Sequence, residues 1–315
     1  MLVLVYDYKC PVVALLMPAE LLFGVSLLPS IDVAACRELA ISADREGLDL
    51  LGIQDHPYAP QYVDTFVLAG DLLAVTRRIG VFPDVANLPL RPPAMLAKTA
   101  AALDIVSKGR FNLALGAGGY WDAITRMGVP RRTPQQANAA LAEAISVLRA
   151  LWSHTAEPVH IEGRFYEVAG VVPGPAPAHP IEIWTGAQGP RALELTGAIA
   201  DGWAAPIASY LPYDRWKSAN ERIDNAAITA GRDPRGLRRI AQLVGTITPQ
   251  PENLRTKEGD EPVRATAAQW ADLVVELATE QHFTAFVFWP ERPDVQQITS
   301  YAREVVPQAR AMLAR

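Results

Sequence analysis

A histidine beside an aspartate, placed directly after a buried strand, is the first feature of this sequence that could carry out chemistry. The apolar run at residues 48–53 is typical of a strand, and Asp55 and His56 follow it before Pro57. Histidine can donate a hydrogen bond or move a proton near neutral pH, and a neighbouring carboxylate can orient or charge it. In the structural alternative, Asp55 caps a turn and His56 packs. We favour the functional interpretation and predict that His56 and Asp55 are catalytic.

Two glycine-rich loops also follow predicted strands. The apolar run at residues 111–115 leads into a loop whose missing side chains let a ligand approach the backbone. The loop at residues 186–191 opens a helix, where free amides, the positive end of the helix dipole and Arg191 could hold a phosphate or another anion. Such glycines also occur in purely structural turns. We predict ligand-binding residues in both loops: Gly116, Ala117, Gly118, Gly186, Ala187, Gln188, Gly189, Pro190 and Arg191.

Composition and motifs argue against several classes of function. The chain has a formal charge of −5 and no run of basic residues, so a groove for nucleic acid is unsupported. Its five histidines are scattered without HxH or HExxH, so no metal site is predicted. A GxSxG nucleophile motif is absent, and no GxGxxG follows the first predicted strand. Redox chemistry would therefore depend on a bound cofactor.

The N-terminal segment is predicted to lie outside the catalytic fold. Residues 12–28 are largely apolar, but Pro18 and Glu20 interrupt them, so they make a poor membrane-spanning helix. A signal peptide is also disfavoured, because no clear small-residue cleavage site precedes the first strand. We predict that residues 1–16 are an upstream extension or the result of a misassigned start codon, and that the catalytic domain covers residues 17–315. The two cysteines, Cys10 and Cys36, form no CxxC pair and suit the reducing cytoplasm.

A regular alternation of strands and helices must position these candidate residues. Eight strand-helix units are predicted, with strands at residues 22–28, 48–53, 78–86, 111–115, 181–185, 202–206, 237–248 and 283–289. Such alternation implies a parallel sheet, and eight units favour its closure. The predicted fold is therefore α/β, a (β/α)8 TIM barrel with a small hairpin insertion after the fourth helix. Active sites of such barrels lie at the C-terminal ends of the strands.

Three blocks of the sequence resemble the luciferase-like monooxygenase superfamily, whose members are flavin- and deazaflavin-dependent barrel enzymes. The blocks are GLDLLGIQDHPY (47–58), RPPAMLAKTAAALDIVSKGRFNLALGAGG (91–119) and HPIEIWTGAQGPRALELTGAIADGW (179–203). They occur in the expected order at the expected strands. The resemblance covers nearly the whole chain from about Leu21 onwards.

The resemblance implies where a cofactor would lie. The ring of FMN, or of the deazaflavin coenzyme F420, is expected in the barrel mouth, with its phosphate near the loop at residues 186–191. A non-proline cis peptide is expected behind the ring, in a bulge formed by Asp84, Val85, Ala86 and Asn87. The resemblance also implies a small-molecule substrate and a homodimer.

Three functions stay open at this point. The deazaflavin branch shares the pair matched by Asp55 and His56, which implies hydride transfer between F420 and a small organic substrate. The F420-dependent glucose-6-phosphate dehydrogenases of that branch carry a tryptophan and a glutamate where this chain has Tyr58 and Gly119. One alternative is an FMN-dependent monooxygenase that incorporates molecular oxygen, in which His56 would steady a peroxyflavin. The other is a non-catalytic flavin-binding protein.

Overall fold

The computed structural model describes residues 21–250 and 260–314. The predicted extension over residues 1–16, including Cys10, lies outside the described residues, as does most of the loop at residues 249–262. Within the described part, Cys36 is a buried free thiol. No helix in these two ranges is long and apolar enough to cross a membrane.

Parallel strands form one sheet that closes into a barrel. The strands of the described residues are β1 (Leu22–Leu27), β2 (Leu50–Ile53), β3 (Gly80–Pro83), β4 (Ala86–Asn87), β5 (Leu113–Gly116), β6 (Val159–Glu162), β7 (Glu167–Val171), β8 (Ile183–Thr185), β9 (Gly202–Ala205), β10 (Arg238–Ile247), β11 (Val263–Ala265) and β12 (Ala285–Pro290). Their order around the sheet is β3-β2-β1-β12-β10-β9-β8-β5-β4. Because β4 continues the path of β3, its pairing with β5 and the bridge between Val81 and Phe111 close the ring. The predicted (β/α)8 barrel is confirmed, and the antiparallel hairpin β6-β7 is the predicted insertion.

Helices surround this barrel. They are α1 (Val33–Arg45), α2 (Thr65–Val75), α3 (Pro93–Ser107), α4 (Trp121–Arg126), α5 (Pro134–Leu151), α6 (Pro190–Ile199), α7 (Trp216–Thr229), α8 (Ala267–Gln281), α9 (Val295–Ser300) and α10 (Val306–Leu313). Two N-termini follow the sequence closely. Asp32 accepts a hydrogen bond from the Ala35 amide, and Thr133 and Gln136 form a capping box at the start of α5.

Alternating side chains fill the barrel interior beneath the strand ends. The interior cluster consists of Leu50, Phe82, Ala114, Trp184, Ala204, Ile240, Ala285 and Val287. The rings of Phe82 and Trp184 meet edge to face, with centroids 5.1 Å apart. Side chains alternate along a strand, so the residue two positions after each member of this cluster also points into the barrel. These residues, nearer the C-terminal ends of the strands, form the floor of the barrel mouth. The barrel is therefore a packed core with one open end.

The structure differs from the sequence predictions mainly where the chain leaves the sheet. The third strand was predicted to run to Ala86, but β3 ends at Pro83 and pairing resumes only in β4. Two short elements, α4 and β11, were not predicted. The last predicted helix is divided into α9, a π-helical turn at Tyr301–Val305, and α10. Short segments like these carry too little periodic pattern to be recognised from sequence.

Helix α6, which begins at the barrel mouth, packs closely against α7 at Gly197. A Cβ atom on Gly197 would lie 2.2 Å from the Ile223 carbonyl oxygen and 2.9 Å from Ala226 Cβ. We expect Gly197→Ala to lower the free energy of unfolding by about 1–3 kcal/mol, because the helices must separate. Gly236→Ala is the matched control, since nothing lies within 4 Å of its added methyl group. Urea unfolding of both variants checks this, and equal losses would contradict it.

Candidate functional site

A cavity of about 600 Å³ opens at the C-terminal ends of the barrel strands. Most of the site residues predicted from sequence line it: Asp55, His56, Asp84, Val85, Ala86, Asn87, Gly116, Ala117, Gly118, Gly186, Gln188 and Gly189. Three predicted residues do not line it. Ala187 is buried, and its carbonyl accepts a hydrogen bond from Trp203 Nε1 at 3.0 Å. Pro190 starts α6, and Arg191 is exposed.

Asp55 is held by partners other than His56. Its carboxylate accepts two hydrogen bonds from Arg91, at 2.6 and 2.7 Å, and one from the Asn87 amide at 2.8 Å. Arg91 also contacts Asp64 at 2.9 Å and lies over the Phe66 ring. The sequence had suggested that Asp55 orients His56. In the structure, Asp55 instead joins the end of β2 to β4 and to the chain that enters α3.

His56 has a phenol as its hydrogen-bond partner. Its Nδ1 lies 2.7 Å from Tyr58 Oη, and its ring meets that of Tyr120 edge to face. Burial lowers the pKa of His56 from its usual 6.5, an effect that the nearby charge of Asp55 partly offsets. Burial also raises the pKa of Tyr58 to about 12. At neutral pH the site therefore presents an uncharged imidazole bonded to an uncharged phenol.

Tyrosines on separate loops continue this wall of the cavity. Tyr120 follows β5 and Tyr210 follows β9, and their hydroxyl groups lie 2.5 Å apart. Both rings are partly exposed, and both line the cavity. The sequence analysis missed them as site residues because isolated tyrosines in loops carry no periodic or motif signal. Only the folded barrel brings the two loops together.

The bulge between β3 and β4 places one aliphatic side chain between the two glycine loops. The peptide bond Asp84-Val85 is cis, which confirms a cis bond within the predicted segment. A Cβ atom on Gly116 would lie 2.8 Å from Val85 Cγ2, and one on Gly186 would lie 3.0 Å from it. A side chain at either position would therefore crowd Val85, which lines the cavity. The result is a smooth cradle of Val85 and glycine backbone.

Below this cradle lies a buried carboxyl group. Asp84 accepts a hydrogen bond from Ser26 Oγ at 3.2 Å, and a Cβ atom on Gly52 would collide with its Oδ2. Burial raises the pKa of Asp84 to about 7, although Ser26, Trp289 and Gln242 each favour the charged form. Sequence analysis missed Ser26, Gln242 and Trp289. They could have been recognised as polar or indole side chains at inward-facing positions of strands that are otherwise apolar.

Several polar atoms around the cavity lack a hydrogen-bond partner within the described part of the chain. They are Asp84 Oδ1, Asn87 Oδ1 and Trp289 Nε1, all on residues that line the cavity, and for Asp84 and Trp289 this leaves only the loose contact between the two that favours the charged carboxylate. Unpaired buried polar atoms cost free energy, so a ligand that bonds to them gains affinity. Together with the Val85 cradle and the start of α6 at Gly189, they fit a planar heterocycle with polar edges and an anionic tail. Among the described residues, no three His, Cys, Asp or Glu side chains are grouped as metal ligands.

Comparison with known proteins agrees with this arrangement. The family model described as luciferase-like monooxygenase matches residues 20–312. The chain is 33% identical over 158 residues to an uncharacterised protein of Mycobacterium tuberculosis, covering 47% of this chain and 53% of that protein. It is 31% identical over 237 residues to the phthiodiolone/phenolphthiodiolone dimycocerosates ketoreductase of the same organism, covering 72% of this chain and 60% of that enzyme. The chain thus spans between half and two thirds of the length of these relatives.

Solved structures share the fold at low sequence identity. An F420-dependent secondary alcohol dehydrogenase, in complex with an F420-acetone adduct, superposes with a TM-score of 0.78 at 19% identity. That match covers 92% of this chain and 99% of the other. A riboflavin lyase with modified FMN and riboflavin gives a TM-score of 0.78 at 16% identity, covering 93% and 92%. These two likenesses support the fold and leave the choice of cofactor open.

The buried pair of Asp55 and Arg91 gives a prediction about stability. Arg91→Met would leave an unpaired carboxylate whose side chain is only 1% exposed. We expect the free energy of unfolding to fall by about 3–5 kcal/mol, because a buried charge without its partner is costly. Arg303→Met is the control, since Arg303 pairs with Glu46 at the surface, and we expect little change there. Thermal unfolding measures both, and a stable Arg91→Met protein would contradict the assignment.

Proposed function

Because the chain belongs to the luciferase-like monooxygenase family, we propose that this protein is an oxidoreductase that transfers a hydride between coenzyme F420 and a small organic substrate. The observation that carries the proposal is that one cavity is lined by both the Val85 cradle and the neutral pair of His56 and Tyr58. A relative named as a ketoreductase and a structural neighbour named as an F420-dependent alcohol dehydrogenase support it.

Each part of the cavity has a role in this proposal. A deazaflavin ring, when bound, supplies a carbon centre that gives or accepts hydride. Val85, Gly116 and Gly186 would hold the face of the ring. The first turn of α6, which begins after Gly189, would bind an anionic tail through its backbone amides and the positive end of the helix dipole. The tyrosine wall and the cradle together exclude water from the reacting atoms.

His56 acts on the substrate oxygen. Tyr58 stays protonated at neutral pH, and in this scheme it donates to His56 Nδ1, which leaves the imidazole proton on Nε2. From Nε2 the imidazole donates a hydrogen bond or a proton to the substrate oxygen, on which negative charge develops as hydride is transferred. Asp55 contributes indirectly, because it ties the backbone next to His56 to Arg91 and to the Asn87 amide. It is a positioning residue in this scheme.

Two other functions remain as alternatives. An FMN-dependent monooxygenase would use the same cavity, and a structural neighbour that contains modified FMN favours it. A non-catalytic flavin-binding protein would bind a ring without turnover. A homodimer and a cytoplasmic location stay predictions.

Cofactor binding and a histidine variant test the proposal together. We expect purified protein to bind F420 more tightly than FMN in fluorescence and absorbance titrations. His56→Ala is expected to retain F420 affinity and to lower turnover by a factor of about 100 or more, because a proton donor is lost. His154→Ala is the control, since that histidine is exposed just beyond the end of α5.

The other outcomes separate the alternatives. Tight FMN binding with weak F420 binding, accompanied by oxygen consumption, would establish the monooxygenase instead. Ring binding without turnover by the unmodified protein under either cofactor would establish the non-catalytic protein. Failure to bind either cofactor would contradict the proposal as a whole.

A further inference from the structure

We propose that Arg132 and Arg164, on the flank of the cavity mouth, bind the carboxylates of an oligoglutamate tail on the cofactor. The inference rests on the proposed function, because coenzyme F420 carries a chain of glutamyl residues beyond its phosphate, whereas FMN ends at its phosphate. It concerns the hairpin β6-β7 and the chain before α5, which the reaction scheme above does not use. The arginine pair, defined as Arg132 and Arg164, favours the deazaflavin cofactor through its tail.

The two guanidinium groups share one aromatic ring at the turn of the hairpin. Arg132 Cζ lies 5.1 Å from the centroid of the Phe165 ring, and Arg164 Cζ lies 5.4 Å from the same centroid. Arg132 also donates a hydrogen bond to Tyr166 Oη at 3.0 Å and lies 5.3 Å from the centroid of that ring. These contacts hold two cations as neighbours on an aromatic support.

No carboxylate in the described part of the chain forms an ion pair with either guanidinium group. Glu143, on α5, instead accepts hydrogen bonds from the backbone amides of residues 164–166 at 2.8–3.2 Å, and so fixes the turn. The neighbouring Arg131 differs, because it is paired with Asp122. Two like charges held side by side repel each other, and an anion that binds both relieves this repulsion. The arginine pair therefore fits a ligand that carries carboxylate groups.

The arginine pair lies on the side of the cavity where an anionic tail would leave. Pro134 and Ala137, near the start of α5, line the cavity, as do Gly189 and Ala192 at the start of α6. The two helices are in contact, so an anion at the start of α6 lies next to the start of α5. Arg132 comes directly ahead of α5, and its hydrogen bond to Tyr166 continues this path to the hairpin.

The length of the tail decides which forms of F420 can reach both arginines. The amide of Arg164 is bonded to Glu143, which lies about 13 Å along α5 from Pro134 at a helical rise of about 1.5 Å per residue. A chain of several glutamyl residues spans such a distance, and we expect a shorter tail to miss Arg164. None of the described residues that line the cavity is a lysine or an arginine. The positive charges that the carboxylates of the tail need are therefore found outside the cavity, on this flank.

Titrations followed by the fluorescence of the bound cofactor test the arginine pair. The two probes are F420 with a long glutamyl tail and the same deazaflavin phosphate without glutamyl residues, called the tail-less form. At low ionic strength we expect the long-tailed form to bind about three- to tenfold more tightly, because each exposed ion pair contributes only modestly. The preference should vanish at about 1 M salt, where charges are screened beyond about 3 Å.

Variants assign this preference to the two arginines. Arg132→Gln and Arg164→Gln should each lower the affinity for the long-tailed form by a factor of about two to three, and should leave the affinity for the tail-less form unchanged. Arg132→Lys keeps the charge and should keep most of the preference. Arg45→Gln is the matched control, because it removes one exposed positive charge at the C-terminal end of α1, away from the cavity mouth. We expect no change in affinity for that variant.

Three results would overturn the arginine pair and leave the proposed function intact. They are equal affinity of the two probes at low ionic strength, equal losses in Arg45→Gln and in the two pair variants, and a loss in the pair variants that affects both probes alike. The last result would assign the loss to the hairpin or the cavity instead of the tail. Hydride transfer is measured separately with the tail-less form, so it does not depend on these outcomes. Weak binding of both probes together with tight FMN binding would overturn the proposed function and the arginine pair together.

Discussion

The buried ion pair between Asp55 and Arg91 is the interaction on which the site most depends. It joins three segments that are distant in sequence, namely the end of β2, the strand β4 through the Asn87 amide, and the start of α3. A carboxylate that is removed from water must be fully paired, so these segments cannot separate without leaving a buried charge. His56 and the bulge at Val85 are both attached to this joint. Their relative position is fixed by it.

Space and polarity in the cavity follow from what surrounds that joint. Val85 reaches the opening because Gly116 and Gly186 have no side chain, and Asp84 fits below because Gly52 has none. Close packing around Asp84 also keeps water from its carboxyl group, and this burial raises its pKa to about 7. The cavity is thereby divided into a smooth cradle, a neutral imidazole and phenol pair, and a floor with free hydrogen-bonding atoms.

Local patterns were sufficient to predict the fold and much of the site. Apolar runs ending in glycine or in Asp55 and His56 identified the strand ends, and the closure rule for eight units identified the barrel. Twelve of the predicted cofactor and catalytic residues do line the cavity. The interpretation of Asp55 as the partner of His56 did not agree with the geometry. Adjacent residues suggested a pair, whereas the carboxylate bonds to Arg91, which is 36 residues away.

The sequence by itself determined the alternation of elements, the class of fold and the strand ends at which a site must lie, because these depend on local periodicity and on glycine. Tertiary structure alone decided which side chains face one another across the cavity. Tyr120 and Tyr210, or Asp84 and Trp289, lie on separate elements and carry no shared pattern in the chain. Their protonation states and free hydrogen-bonding atoms exist only after burial, since burial changes the solvation of a group and leaves its place in the sequence unaltered.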